Sequence, residues 1–135
     1  MLVLDSSVTL AWALPDEESA YADALVAEVF AAGVAAVPSL WFSEVSNVLA
    51  TNYRCGRLTD DQLIEAIGAV KSLPVEIDGE SPQKSFDAVL ALAKRHKITT
   101  YDATYLDIAI RRKFPLGTLD SKLRVAAKAE HVEIP

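Results

Sequence analysis

With one cysteine, Cys55, the chain cannot form an internal disulfide, and such sparing use of thiols suits the cytoplasm. Long apolar runs are missing too. The longest uncharged stretch, Val29 to Ser43, is broken by Gly33 and Pro38 and is too short to cross a bilayer. The start, MLVLDSS, puts no basic region ahead of an apolar one, so no signal peptide is expected. Positive charge is in deficit: 13 Lys and Arg against 19 Asp and Glu leave a net charge of −6. That argues against a general nucleic-acid coat, which grips phosphates with surplus cations. It leaves room for an enzyme that meets phosphate through bound metal ions, and it suits a basic protein partner. No low-complexity segment or repeat of solenoid period is present. What is there, 51% apolar and 24% charged over 135 residues, suits one folded domain with its own core.

Strand-like and helix-like segments alternate. Leu2 to Leu4 reads as a buried strand, and SSVTLAWAL as a short helix stopped by Pro15. Asp16 is the expected cap of a helix through Ala32, with Gly33 just beyond its end. Val34 to Val37 is a second strand, and Pro38 and Ser39 open a helix running to Gly56. Thr59 and Gln62 form a capping box ahead of DDQLIEAIGAVKSL. Val75 to Ile77, Leu116 to Leu119 and the closing VEI read as strands. Helices are expected over Ser85 to Lys97, from Thr99 or Thr100 onward, and over SKLRVAAKAE. This alternation predicts a parallel α/β sheet with helices on both faces.

Chemistry gathers on four acids. VLDSS (Val3 to Ser7) and TLDSK (Thr118 to Lys122) have one shape: an apolar strand ending in Asp, then Ser and a helix. Carboxyl ends of parallel strands share one edge, where ligands bind, so Asp5 and Asp120 are expected there together. In TTYDATYLDIAI, the residues Ala103, Leu106, Ala109 and Ile110 form an apolar face with Asp102 at its N-terminal end. Asp107 lies roughly 140° further round and is expected to point outward. Glu44 sits mid-helix among Leu40, Val45 and Val48, with Asn47 and Thr51 along the same side. Taken singly, Asp5 and Asp120 read as helix caps and Asp102 as a complement to its helix dipole. Taken together, four converging carboxylates raise one another's pKa or demand a cation, for which Mg2+ or Mn2+ is the natural choice. Lys122 and Arg124 follow Asp120 closely enough for a phosphate contact as readily as a solvated role. KRHK and RRK lie at helix ends and read as solvated faces. Trp12 and Tyr105 read as core, and His96 and His131 stand in no paired setting.

LDSSVTLAWAL, SLWFSEVSNVLA, YDATYLDIA and GTLDSKL, in that order, resemble the acidic motifs of PIN-domain ribonucleases, and among them the VapC toxins of prokaryotic toxin–antitoxin pairs. The resemblance spans essentially the whole chain. It implies a three-layer PIN-like α/β fold, a central mostly parallel sheet flanked by helices, with residues 1–135 as a single domain. It implies Asp5, Glu44, Asp102 and Asp120 as catalytic, metal-binding acids, with Ser7, Asn47 and Thr118 as supporting polar groups. The implied cofactor is Mg2+ (or Mn2+), one or two ions, and the implied activity is endoribonucleolytic cleavage of RNA by metal-activated water. Implied with it are a cognate VapB-like antitoxin, a homodimer, a cytoplasmic location and no membrane attachment. Asp107 falls where the family more often has a small or apolar residue.

Three other readings stand beside this one. A PIN nuclease of RNA maturation or decay would need no antitoxin. A haloacid-dehalogenase-type phosphatase also builds on a strand-end Asp, but usually has a second Asp two residues on, where this chain has Ser7. A non-catalytic binding module would use its acids only as helix caps.

Overall fold

The computed structural model describes every residue, Met1–Pro135. In chain order the elements are β1 (Val3–Leu4), α1 (Ser6–Ala13), α2 (Ala20–Ala32), β2 (Ala35–Val37), α3 (Leu40–Arg54), α4 (Asp60–Ser72), β3 (Val75–Ile77), α5 (Pro82–His96), α6 (Thr100–Arg112), β4 (Leu116–Gly117) and α7 (Ser121–Ala129). The strands form one sheet in the order β3-β2-β1-β4, and every pairing is parallel. Both residues of β1 are fully buried, as an apolar run covered on both faces requires. Two helix groups flank the sheet: α1 packs with α2, α3 and α4, and α6 with α5 and α7.

The topology positions the site. From β1 the chain steps outward through β2 to β3, then returns to lay β4 on the other side of β1. The order reverses at β1, so the crevice of a doubly wound sheet opens at its carboxyl end, where Asp5 stands. Close packing at β4 depends on Gly117, because a Cβ there would overlap Leu25 Cδ2 of α2.

Several element ends differ from the sequence reading. Ser19, not Asp16, caps α2 by accepting from Ala22 N at 3.1 Å, while Asp16 pairs with Arg57. Glu17 and Glu18 therefore precede the helix. Helix α5 begins three residues early, with Ser81 as cap and Pro82 at the first turn, a start signal lying outside the apolar periodicity. The fourth strand stops at Gly117, freeing Thr118 and Leu119 to turn toward Asp5. The expected final strand is absent. His131 turns into the left-handed region (φ 58°), and a single backbone bond, Leu116 N to Glu133 O at 2.9 Å, joins the VEI segment to β4. The capping box at Thr59 and Gln62 forms as expected.

Two side-chain expectations also fail. Asp107 does not face solvent: it is 4% exposed and accepts from Arg111 Nε at 2.8 Å. Helix α6 is covered round most of its girth, burying Ala103 and then every residue from Tyr105 to Ala109, so an angle from one apolar stripe did not define an outside. Arg111 reaches on to Asp78 at 2.6 Å, and Arg112 pairs with Glu76, so the two arginines of this run are ion-paired while Lys113 is exposed, as a solvated face requires. His96 is paired too, its Nε2 lying 2.6 Å from Glu130 Oε1, a partner 34 residues away.

Candidate active site

Asp5 leaves β1 at the reversal point and is 4% exposed. It occupies the N-cap position of α1 but makes no side-chain capping bond. Its carboxylate is held by hydroxyls: Ser7 Oγ donates to Oδ2 at 2.5 Å and Thr118 Oγ1 at 2.6 Å, with a longer contact of 3.4 Å from Ser6. A cap reading therefore fails for Asp5. Thr118, fully buried, serves a second acid as well, because its Oγ1 accepts from Asp120 N at 3.0 Å. Ser7 Oγ accepts from Leu119 N at 3.0 Å. These hydroxyls stitch the end of β1 to the turn after β4.

Asp120 does cap its helix, accepting from Leu123 N at 2.7 Å through Oδ1. The other oxygen has no protein partner. Asp102 stands in the first turn of α6, where Thr99 is the cap, and is half-buried. Glu44, half-buried on α3, accepts from the Tyr105 hydroxyl at 2.6 Å through Oε1.

The electrostatics tie the four together. Burial, first, and then repulsion from Asp120 and Asp5 push the Asp102 carboxyl above its ordinary range, against a small opposing pull from Thr99. Burial likewise raises Glu44, with the Tyr105 hydrogen bond opposing it and the charges of Asp5 and Asp102 adding to the rise. Burial and the Glu44 carboxylate push the Tyr105 phenol far up, so it remains a protonated donor. None of the molecule's ion pairs includes Asp5, Glu44, Asp102 or Asp120.

The four acids are neighbours without being a tight cage: nowhere do three His, Cys, Asp or Glu side chains close to direct-ligation spacing. The donors are all oxygens, the preference of hard divalent cations. The largest cavity, about 630 Å3, lies elsewhere. It runs along Ile77, Phe86, Tyr101, Asp107 and Arg111, and none of the four acids lines it, so volume is no guide to the chemistry here.

Of the other expected residues, Ser7 and Thr118 join the site directly. Asn47 is exposed. Lys122 is exposed in the first turn of α7. Arg124 donates Nε to Thr118 O at 2.7 Å and lies over the Tyr21 ring at 4.5 Å. Tyr105 does more than the core role its sequence setting predicts. Its ring is core, but its hydroxyl reaches Glu44, and a Tyr three residues after an inward acid is the signal that could have shown it.

Comparisons with known proteins bear on the family and the fold. The family model of the PIN domain matches residues 2–129. Ribonuclease VapC3 of Pyrobaculum aerophilum is 33% identical over 129 residues, covering 90% of this chain and 91% of that protein. The crystal structure of PAE2754 from Pyrobaculum aerophilum superposes with a TM-score of 0.69 at 24% identity, covering 99% of this chain and 92% of that one, and shares the fold. The chain belongs to the PIN-domain family.

Proposed function

We propose that this chain is a divalent-metal-dependent endoribonuclease and the toxin of a type II toxin–antitoxin pair, residues 1–135 acting as one PIN-like domain. The carrying observation is the set of four carboxylates, from β1, α3, α6 and the β4–α7 junction, that repel one another with no basic side chain paired to any of them. Similarity to a protein named as a VapC ribonuclease supports the choice of RNA.

Asp5, Glu44, Asp102 and Asp120 would hold Mg2+ or Mn2+, as one or two ions. When bound there, such an ion supplies Lewis-acid polarisation of the scissile phosphate and lowers the pKa of water. The protein's own residues fix the geometry. Ser7 and Thr118 orient Asp5, and Thr118 also ties the backbone of Asp120 to it. Lys122 is free to meet an RNA phosphate. Arg124, anchored at Thr118 O, borders the same turn. Asn47, one turn after Glu44, is a polar contact for substrate.

Neither histidine belongs to the acid group: His96 is engaged by Glu130 and His131 lies in the turn after α7. No pair of imidazoles can drive attack by the 2′-hydroxyl. Cleavage therefore leaves a 5′-phosphate and a 3′-hydroxyl. The test is purified protein with labelled total RNA in Mg2+ or Mn2+, in EDTA, and with Asp102→Asn. Metal-dependent cleavage that the variant lacks is expected. 2′,3′-cyclic phosphate ends that persist in EDTA would sink the reading.

The partner is a VapB-like antitoxin whose Arg- or Lys-bearing segment pairs with the acids, Arg best because its fork bonds a carboxylate twice. Association should weaken with salt. No helix is long and apolar enough to cross a membrane, and the toxin acts in the cytoplasm as a homodimer. Co-expression with the neighbouring gene tests the pairing: a chain harmless alone, or not inhibited by that product, refutes it.

A further inference from the structure

We infer that Tyr105 is a positioning residue for the metal-binding carboxylate of Glu44: its buried hydroxyl fixes which oxygen of Glu44 is left to face a cation. The inference rests on the metal-site reading above. Tyr105 lies three residues after Asp102, on the adjoining part of the same helix face, and its residue exposure is zero. A phenol packed this tightly cannot swing. Its hydroxyl donates to Glu44 Oε1 at 2.6 Å, across from α6 to α3.

Glu44 needs such a restraint. Its side chain turns about three bonds, and it has no ion pair to hold it. Ordering that chain when a cation arrives would cost rotamer entropy, and a hydrogen bond already in place removes most of that cost beforehand. The chemistry of the restraint matters as well. Arg or Lys in place of Tyr105 would compete with the cation by neutralising the carboxylate, whereas a phenol orients it and leaves its charge in place. The donor takes one lone pair of Oε1, and apart from a weaker approach by the Ser6 hydroxyl the rest of the carboxylate remains for the ion. Because Tyr105 and Asp102 share α6, the same bond sets the spacing between two of the four acids. Outer hydrogen-bond partners of this kind typically govern metal affinity by 10–100-fold.

The alternative is that Glu44 merely satisfies a buried phenol. Calorimetric titration of Mn2+ into the metal-free full-length protein separates the two, using wild type, Tyr105→Phe and Glu44→Ala. Tyr105→Phe keeps the ring and removes one oxygen. The expected result is a Mn2+ affinity about 10-fold weaker or more, with a metal-free melting temperature no more than about 11 °C below wild type. RNA cleavage by this variant should return to within about three-fold of wild type at saturating Mn2+, the loss lying in metal activation and not in turnover. In wild type, Mn2+ should also perturb tyrosine ultraviolet absorbance, a readout needing no substitution at 105. If wild type and Tyr105→Phe bind Mn2+ equally, the positioning role is overturned and the metal site stands. If wild type binds no Mn2+, the metal site falls and the role of Tyr105 falls with it. Should Tyr105→Phe fail to fold, an absorbance signal that persists in a Tyr21→Phe/Tyr101→Phe double variant sustains the role, and its absence there overturns it.

Discussion

Thr118→Val removes one hydroxyl and keeps the shape of the side chain, so it isolates what that hydroxyl does for two acids at once. Thr118 is fully buried, and its Oγ1 donates to Asp5 Oδ2 at 2.6 Å and accepts from Asp120 N at 3.0 Å. The first bond goes to a carboxylate that is 4% exposed and whose other short donor is Ser7. A hydrogen bond to a charged group contributes about 1.5–3 kcal/mol, and a carboxylate without water to replace the lost donor sits toward the upper end. The second bond should cost less than about 1 kcal/mol, because Asp120 is exposed and its amide can turn to water. The expected loss is about 2–3 kcal/mol of stability. At about 2.1 cal/mol/K per residue, 135 residues unfold with an entropy near 0.28 kcal/mol/K, so the melting temperature should fall by about 7–11 °C. Asp5 would also be free to turn, and Mn2+ affinity should drop about 10–100-fold. Thermal melts in EDTA and calorimetric Mn2+ titration measure the two effects. A melting temperature within about 2 °C of wild type, with unchanged Mn2+ binding, would show that the hydroxyl bridge carries neither load.

Three further outcomes follow from the same geometry. Glu44 and Asp102 are both raised in the fold, so their charged forms weigh against folding at neutral pH, and that penalty fades as pH falls through their raised values toward the ordinary carboxylate range. Metal-free melting temperature should therefore rise as pH falls from neutral toward the ordinary carboxylate range, and the E44Q/D102N double variant should flatten that rise; a steady fall over the same range contradicts it. Below about pH 4 the lowered Glu130 and Asp16 act in the opposite sense. Asp107→Asn should cost about 1–2 kcal/mol in urea unfolding, since Arg111 keeps Asp78, while cleavage at 25 °C stays within about three-fold of wild type. Equal loss of cleavage in Asp107→Asn and Asp102→Asn would show that Asp107 serves the site. Gly117→Ala should destabilise by about 1–3 kcal/mol through overlap with Leu25, and a neutral effect in urea unfolding would mean that α2 can shift to admit a methyl.

What the sequence determined by itself was local or periodic. Buried parallel strands read as apolar runs, caps read as Ser, Thr or Asp ahead of a helix, and an Asp closing a strand stands on the ligand edge of any parallel sheet. Those signals single out Asp5, Glu44, Asp102 and Asp120 as candidates, and the fold then brings them near enough to repel one another. The same signals were not enough for Asp107, because an apolar stripe shows which side of α6 is buried first and not how many neighbours cover the rest. Nor could they show which hydroxyl serves which acid. Thr118 and Asp5 are 113 residues apart, Tyr105 and Glu44 are 61, and His96 and Glu130 are 34. The final strand failed for the same reason, since its β-forming residues meet β4 through one bond only. Periodicity acts within a few turns of chain, whereas these pairings exist only after the sheet order β3-β2-β1-β4 has brought distant segments within hydrogen-bond reach.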